Sequence, residues 1–214
     1  VSALAAAGRH DEALQAAQEL LKENPKEQGR NMVLGEVFEA MGDKDRARLA
    51  YLREAEYFPR DPLPLVKLGI IETARNRPAE AEKAYRRALE VNPRNADALV
   101  MLSELLDNTG RTAEAATLTE RAMAADRGHP GALMRHALDL QRKGQSDQAL
   151  VSYQACLERQ PGNPMVLYNL GTLYAQMERN GQAEQAYQNA IATGKAPQGA
   201  YANLGVIFAG RGKL

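Results

Sequence analysis

Several things are scarce in this chain of 214 residues, and each scarcity excludes something. Cys156 is the only cysteine, so no intramolecular disulfide can form, and a lone cysteine does not fix the redox compartment. Net charge is nil, with 27 Lys+Arg against 27 Asp+Glu. A nucleic-acid binder normally carries a basic stripe, so no nucleic-acid partner is expected. No run of like charge is long enough to be a tail. No apolar stretch approaches the roughly 18 residues that suggest a membrane span, so no membrane insertion is expected of this stretch. Glycine and proline are spaced and not clustered, which leaves no low-complexity linker. His10, His129 and His136 are far apart and lack metal-ligand spacing, and no phosphate-cradling glycine loop is present. No cofactor or metal is therefore expected, and the chain is not expected to be an enzyme. No signal peptide is seen, but localisation signals could lie outside this stretch; a soluble protein, of cytoplasm or periplasm, is expected, with the compartment left open.

What is present is a period. Leu34-Gly35, Leu68-Gly69, Leu170-Gly171 and Leu204-Gly205 are separated by 34 residues or a multiple of it. A fixed period of this size marks a repeat array. Residues 1–27 read as the back part of one repeat. Full units follow at 28–61, 62–95, 96–129, 130–163 and 164–197, and 198–214 read as the first helix of another. The whole of 1–214 is thus expected to be one array.

Each unit reads as helix, tight turn, helix. Gly8, Gly42, Gly110 and Gly144 mark the turn, with Asn76 in the same place once; both residue types tolerate the left-handed conformation that ends a helix. Thr112, Ser146 and Asn180 are expected to cap the second helix, and Pro78 suits its first turn. Pro25, Pro59, Pro93 and Pro161 then stop it. Ala13, Ala47, Ala81, Ala115, Ala149 and Ala183 recur at one second-helix position, where only a small side chain lets the paired helices approach. One turn on come Tyr51, Tyr85, Tyr153 and Tyr187. The first helices carry Leu65, Leu99, Leu133 and Leu167 at one position, with Leu34, Leu68, Leu102, Leu170 and Leu204 three residues later. Two apolar stripes per unit, one for the partner helix and one for the next unit, make the array stable only as a stack.

Leu170, Gly171, Tyr174, Ala183, Tyr187 and Ala190, with the closing proline of other copies, resemble the tetratricopeptide repeat family across the whole chain. The departures are Ser103 and Ala137 for Gly, His136 for Leu, Glu72 for a large apolar residue, Glu54 for Ala, and Arg127 and Lys195 for Pro. They read as scattered drift. The resemblance implies an all-α, right-handed superhelical solenoid of antiparallel helix pairs. It further implies a concave groove lined by the first helices, which holds a segment of another protein.

The groove should be lined by first-helix positions that the stacking stripes leave free: three and two before the small Gly-type residue, and one after it. In unit order these are Met32, Val33 and Glu36; Val66, Lys67 and Ile70; Val100, Met101 and Glu104; Met134, Arg135 and Leu138; Tyr168, Asn169 and Thr172; then Ala202, Asn203 and Val206. Most are apolar, and methionine suits adaptable binding surfaces. They fit an apolar or amphipathic segment, or are plain surface and stacking residues. Asn169 and Asn203, one period apart, could grip a peptide backbone, since an amide both donates and accepts. The pair resembles the asparagine ladder of glycosyltransferases that carry such repeats, reduced here to two rungs. Glu36, Glu39, Glu104 and Asp107 could make the earlier groove acidic, and Arg135 and Arg142 the later part basic, unless these are solvated faces.

The expected function is a protein–protein interaction scaffold. The alternatives are the substrate-recruiting arm of a larger enzyme such as a glycosyltransferase, or a spacer in a bacterial secretion or polysaccharide-export assembly. Cys156 sits where the pattern wants Ala and reads as a buried small hydrophobe. The chain begins and ends inside the pattern and reads as part of a longer protein. Its last helix carries Leu204, Val206, Ile207 and Phe208 with no partner, so 198–214 is expected to self-associate end to end or to fray. Abundant Ala, and Arg over Lys, suggest a bacterial source.

Overall fold

The computed structural model describes residues 1–210 and 212. Among them the chain forms thirteen α-helices and no strand, an all-α fold. Two compact units divide it, Val1–Ala115 and Ala116–Leu214. Unit one holds α1 (Ser2–Ala6), α2 (His10–Glu23), α3 (Arg30–Ala40), α4 (Lys44–Tyr57), α5 (Leu63–Ala74), α6 (Pro78–Val91) and α7 (Ala96–Asn108). The boundary falls within α8 (Thr112–Ala125). Unit two continues with α9 (Pro130–Arg142), α10 (Ser146–Arg159), α11 (Pro164–Gln176), α12 (Asn180–Ala192) and α13 (Gln198–Gly210). In unit one α3 pairs with α4 and α5 with α6, and each second helix also packs on the next first helix, α2 on α3, α4 on α5 and α6 on α7. Unit two repeats this with α9–α10 and α11–α12, α10 on α11 and α12 on α13.

The pairing is close because of three residue types. The periodic alanines are at most 1% exposed, and Tyr51, Tyr85, Tyr153 and Tyr187 at most 2%. Three of the tyrosine rings, Tyr51, Tyr85 and Tyr187, lie against the first helix where a side chain is missing, and Tyr153 stands opposite Ala137 in the same register. A Cβ on Gly171 would come 2.6 Å from Cε1 of Tyr187, and Gly35 and Gly69 meet Tyr51 and Tyr85 closer still. Ser103 is not drift at this position. Its register partner in the second helix is Thr119 and not tyrosine, and its Oγ donates to the Ala115 carbonyl at 2.9 Å.

The turns follow one scheme. Asn76, Gly42, Gly110, Gly144 and also Glu178 take positive φ. The next N–H then bonds back into the last turn of the first helix, as Asp43 to Phe38 (2.8 Å), Arg77 to Glu72 (2.9 Å), Gln145 to Leu140 (2.9 Å) and Arg179 to Tyr174 (2.8 Å). The residue that closes this bond is already the N-cap of the second helix. Thr112, Ser146 and Asn180 are therefore the first helical residues and not the caps expected of them. His10 likewise begins α2 and does not lie in the turn before it. Of these turn residues Asp43 caps with its side chain, Oδ1 accepting from Arg46 N at 2.9 Å.

First helices are capped from a register position the sequence reading passed over. Asn95 accepts from Ala98 N at 2.8 Å, His129 from Ala132 N at 3.2 Å, and Asn163 from Val166 N at 3.2 Å. Glu54 supplies the cap for α3. Its fully buried carboxylate accepts from the N–H of Gly29 and, at 3.1 Å, of Asn31. Glu54 is thus a structural replacement for the missing Asn or Asp and not drift. Glu72, also taken as drift, is buried and paired with Arg48 of α4. Where Arg127 and Lys195 replace proline, α8 and α12 still end, the latter with Thr193 Oγ1 donating to the Ala190 carbonyl at 2.6 Å.

Candidate functional site: a polar pocket between α9 and α11

The first-helix positions sort by burial. Met32, Val66 and Val100, each three before the Gly-type residue, are buried at 6%, 3% and 2% exposure, so they do not line an open surface as expected. In unit one α1 also meets α3, and α5 meets α7. Arg135 is buried as well. Glu36, Lys67, Ile70, Met101, Met134 and Asn203 are half-buried, and Glu104 is exposed. In unit one Lys67 Nζ stands 3.6 Å from Glu39 Oε2, and Tyr51 donates its hydroxyl to the same carboxylate.

Unit two brings four of the expected residues to one place. Leu138 of α9 and Tyr168, Asn169 and Thr172 of α11 line a cavity of about 260 Å³, with Gln141, Arg142 and Gln176 completing it. Hydrogen bonds fix the amide orientation here. Tyr153, from α10, donates its hydroxyl to Gln141 Oε1 at 2.9 Å, and Gln141 Nε2 donates to Gln176 Oε1 at 2.7 Å. Burial pushes the Tyr153 phenol above its ordinary range, so it remains a donor at neutral pH. The relay leaves the Gln176 amide nitrogen as a donor at the pocket. Asn169 adds an amide with no side-chain partner among the described residues.

The other two residues are held from behind. Thr172 Oγ1 accepts from Tyr187 at 3.2 Å and donates to the Tyr168 carbonyl at 3.1 Å. The Tyr168 ring centroid is 6.0 Å from that of Tyr187, tilted by 42°. A Cβ on Gly199 would come 2.7 Å from the Tyr168 hydroxyl, so the ring lies across the start of α13. Asn203 donates to the Tyr187 hydroxyl at 3.1 Å, which spends one rung of the two-residue ladder on the core.

Sequence reasoning missed Gln141 and Gln176. A signal was available for Gln141: the place four after the Gly-type residue holds Glu39, Thr73, Asp107 and Gln141, polar in four units, before Ala175 in the next. Tyrosine hydroxyls meet it at Glu39, Thr73 and Gln141. The histidines serve structure. His129 caps α9, and His136, half-buried in place of the pattern's Leu, lies 3.1 Å from Ser152 Oγ. Cys156 is buried, its Sγ 3.2 Å from the Pro130 carbonyl, and burial raises its thiol. No group of His, Cys, Asp and Glu able to hold a metal occurs among the described residues. No helix there is long and apolar enough to cross a membrane.

The helix pairs, their three-residue turns and the alanine–tyrosine register define a repeat protein of the tetratricopeptide kind. A family model described as tetratricopeptide repeat matches residues 1–62, 66–130 and 134–200, and the chain belongs to that family. No curated protein matches it. Among solved structures, the crystal structure of the APC/C hetero-tetramer Cut9-Hcn1 superposes with a TM-score of 0.85 at 13% identity, over 98% of this chain and 42% of that one. This chain thus spans less than half the length of that relative. MamA superposes with a TM-score of 0.58 at 21% identity, over 74% of this chain and 93% of MamA. YrrB, described as a TPR protein with an unusual peptide-binding site, gives 0.57 at 22% identity, over 83% of this chain and 91% of YrrB. At these identities the likeness is one of fold.

Proposed function

We propose that the chain is a protein-interaction scaffold that holds an extended segment of another protein against α9 and α11. One observation carries the reading. The pocket between these helices joins an apolar patch, Leu138 and Tyr168, to amide groups oriented by hydrogen bonds, Gln176 through Gln141 and the part-buried bond from Tyr153. Such amides match the donors and acceptors of a peptide backbone, and the apolar patch takes a side chain. Family membership supports a protein partner, and the peptide-binding description of YrrB is in keeping with it. The test is selection of a random-peptide phage library on the intact chain, with enriched peptides then measured on Asn169→Ala/Gln176→Ala. The reading expects affinity to fall roughly tenfold or more, as for truncation of central contacts, with an unchanged melting temperature. Enriched peptides that ignore the double change would overturn it.

A second reading is favoured by α13, where Tyr201 and Val206 are 54% and 72% exposed: self-association through that helix. Sedimentation velocity would show a concentration-dependent dimer abolished by Val206→Asp. A monomer at all concentrations would remove this reading.

A further inference from the structure

The register position of Glu72 holds Phe38, Leu106, Leu140 and Tyr174 in the other units, all buried apolar rings or leucines. In α5 it holds a carboxylate, 3% exposed. A buried charge is costly unless paired and fully hydrogen-bonded. Glu72 is only partly satisfied. Oε1 takes Arg48, while Oε2 has no hydrogen bond and is flanked at 3.8 Å by Arg75 and Arg77. Buried polar atoms without a partner are few in folded proteins, and each calls for an explanation.

Beside Glu72 lies a cavity of about 250 Å³ between α4 and α6, remote in sequence from the α9–α11 pocket. Its apolar lining is Leu52, Leu65, Leu68 and Ala84. Its rim carries Arg48, Lys83 and Arg87 against Glu80. Lys83 and Arg87 are exposed and have no ion-pair partner among the described residues. The cleft therefore combines an apolar slot for one large side chain, a buried acceptor lacking a donor, and a rim with surplus positive charge.

We propose that this cleft is a second docking site, which takes a tryptophan or tyrosine side chain from an acidic segment of a partner protein. The ring lies over Leu65 and Leu68, and its N–H or O–H donates to Glu72. The neighbouring carboxylates meet Lys83 and Arg87, which set register and speed the encounter. The experiment uses the chain carrying Asn169→Ala and Gln176→Ala, so that the first pocket is out of play. A random-peptide phage library is selected on it, and fluorescein-labelled enriched peptides are measured by anisotropy. Tryptophan or tyrosine beside Asp or Glu is expected in the enriched set. Glu72→Leu restores the residue that α7 and α9 carry at this place. It should weaken binding roughly tenfold or more while the melting temperature holds or rises. Lys83→Glu/Arg87→Glu, at two exposed positions, should also weaken binding and make it less sensitive to salt. No enrichment, enriched peptides without an aromatic–acid pair, or unchanged affinity for Glu72→Leu would each overturn the proposal. The α9–α11 reading stands or falls separately, on the chain with Asn169 and Gln176 intact.

Discussion

Between α4 and α5, unit one places charges: Arg48 on Glu72 and Arg75 on Asp45, with Lys44 Nζ 2.8 Å from the Ala74 carbonyl. Further along, Arg86 and Arg111 alternate with Glu82 and Glu114 at 2.5–2.8 Å. Between α9 and α11, unit two places neutral amides, Gln141 on Gln176, and behind them hydroxyls, Tyr187 on Thr172. Neighbouring first helices are thus linked by an ion pair in unit one, Lys67 of α5 on Glu39 of α3 at 3.6 Å, and by neutral amides in unit two, Gln141 of α9 on Gln176 of α11. Ionic fastening responds to salt and pH, and exposed pairs contribute little. Neutral hydrogen bonds respond to neither, and they leave a surface with directed donors and acceptors. That difference explains why the candidate peptide pocket lies in unit two and the charge-rimmed cleft in unit one.

The comparison should vanish for what the units share. Tyr187→Ala in unit two and Tyr51→Ala in unit one should each cost about 3–5 kcal/mol, as for other buried aromatics, in urea unfolding followed by circular dichroism. A loss confined to one unit would mean that the tyrosine register is not common to both. Gly171→Ala forces a methyl onto the Tyr187 ring and should cost about 1–3 kcal/mol, despite the better helix propensity of alanine. Ala137, which already stands at this position in α9, shows that the backbone can open to take a methyl. A neutral Gly171→Ala would show that α11 opens as easily.

The smaller effects should separate the units. Glu54→Ala leaves two N–H groups of α3 without acceptors and should cost about 1–2 kcal/mol, seen as faster hydrogen exchange at Gly29 and Asn31. In unit two, Glu178 holds a positive φ of 60°, which an L-residue adopts at a penalty. Glu178→Gly should therefore stabilise by about 1 kcal/mol. The least effect is the acid response. Burial alone would raise Glu82, but bonds from Arg86 and Arg111 outweigh it and hold its carboxyl below the usual range. The same arginines lower Glu114. A depressed folded value gives stability that is present above the unfolded value of about 4.3 and lost as pH falls through the folded one. Acidification below about pH 4 should thus loosen α6 in unit one before α11 in unit two. Equal loss in both units, or Glu82→Gln leaving the acid limb unchanged, would erase the contrast.

The period made the fold legible. Ala81 and Tyr85, or Ala183 and Tyr187, announce their burial because a 34-residue step repeats them. Departures from the period were not legible. Glu54 and Glu72 look like noise in one dimension, because the N–H groups of α3 and the Arg48 guanidinium that they meet lie 23 or more residues away. The pocket was half legible. Asn169 and Leu138 follow from position on the first helix, whereas Gln176 acts through a relay from Tyr153 that only packing creates. Met32, Val66 and Val100 were misplaced because helix spacing sets which first-helix positions stay open, and periodicity does not report spacing.

The most direct test is hydrogen–deuterium exchange with a peptide enriched on the intact chain. The account predicts slowed exchange in the last turns of α9 and α11, around Gln141 and Gln176, with α10 and α12 unchanged. Protection that leaves residues 164–176 at their free rates would contradict it.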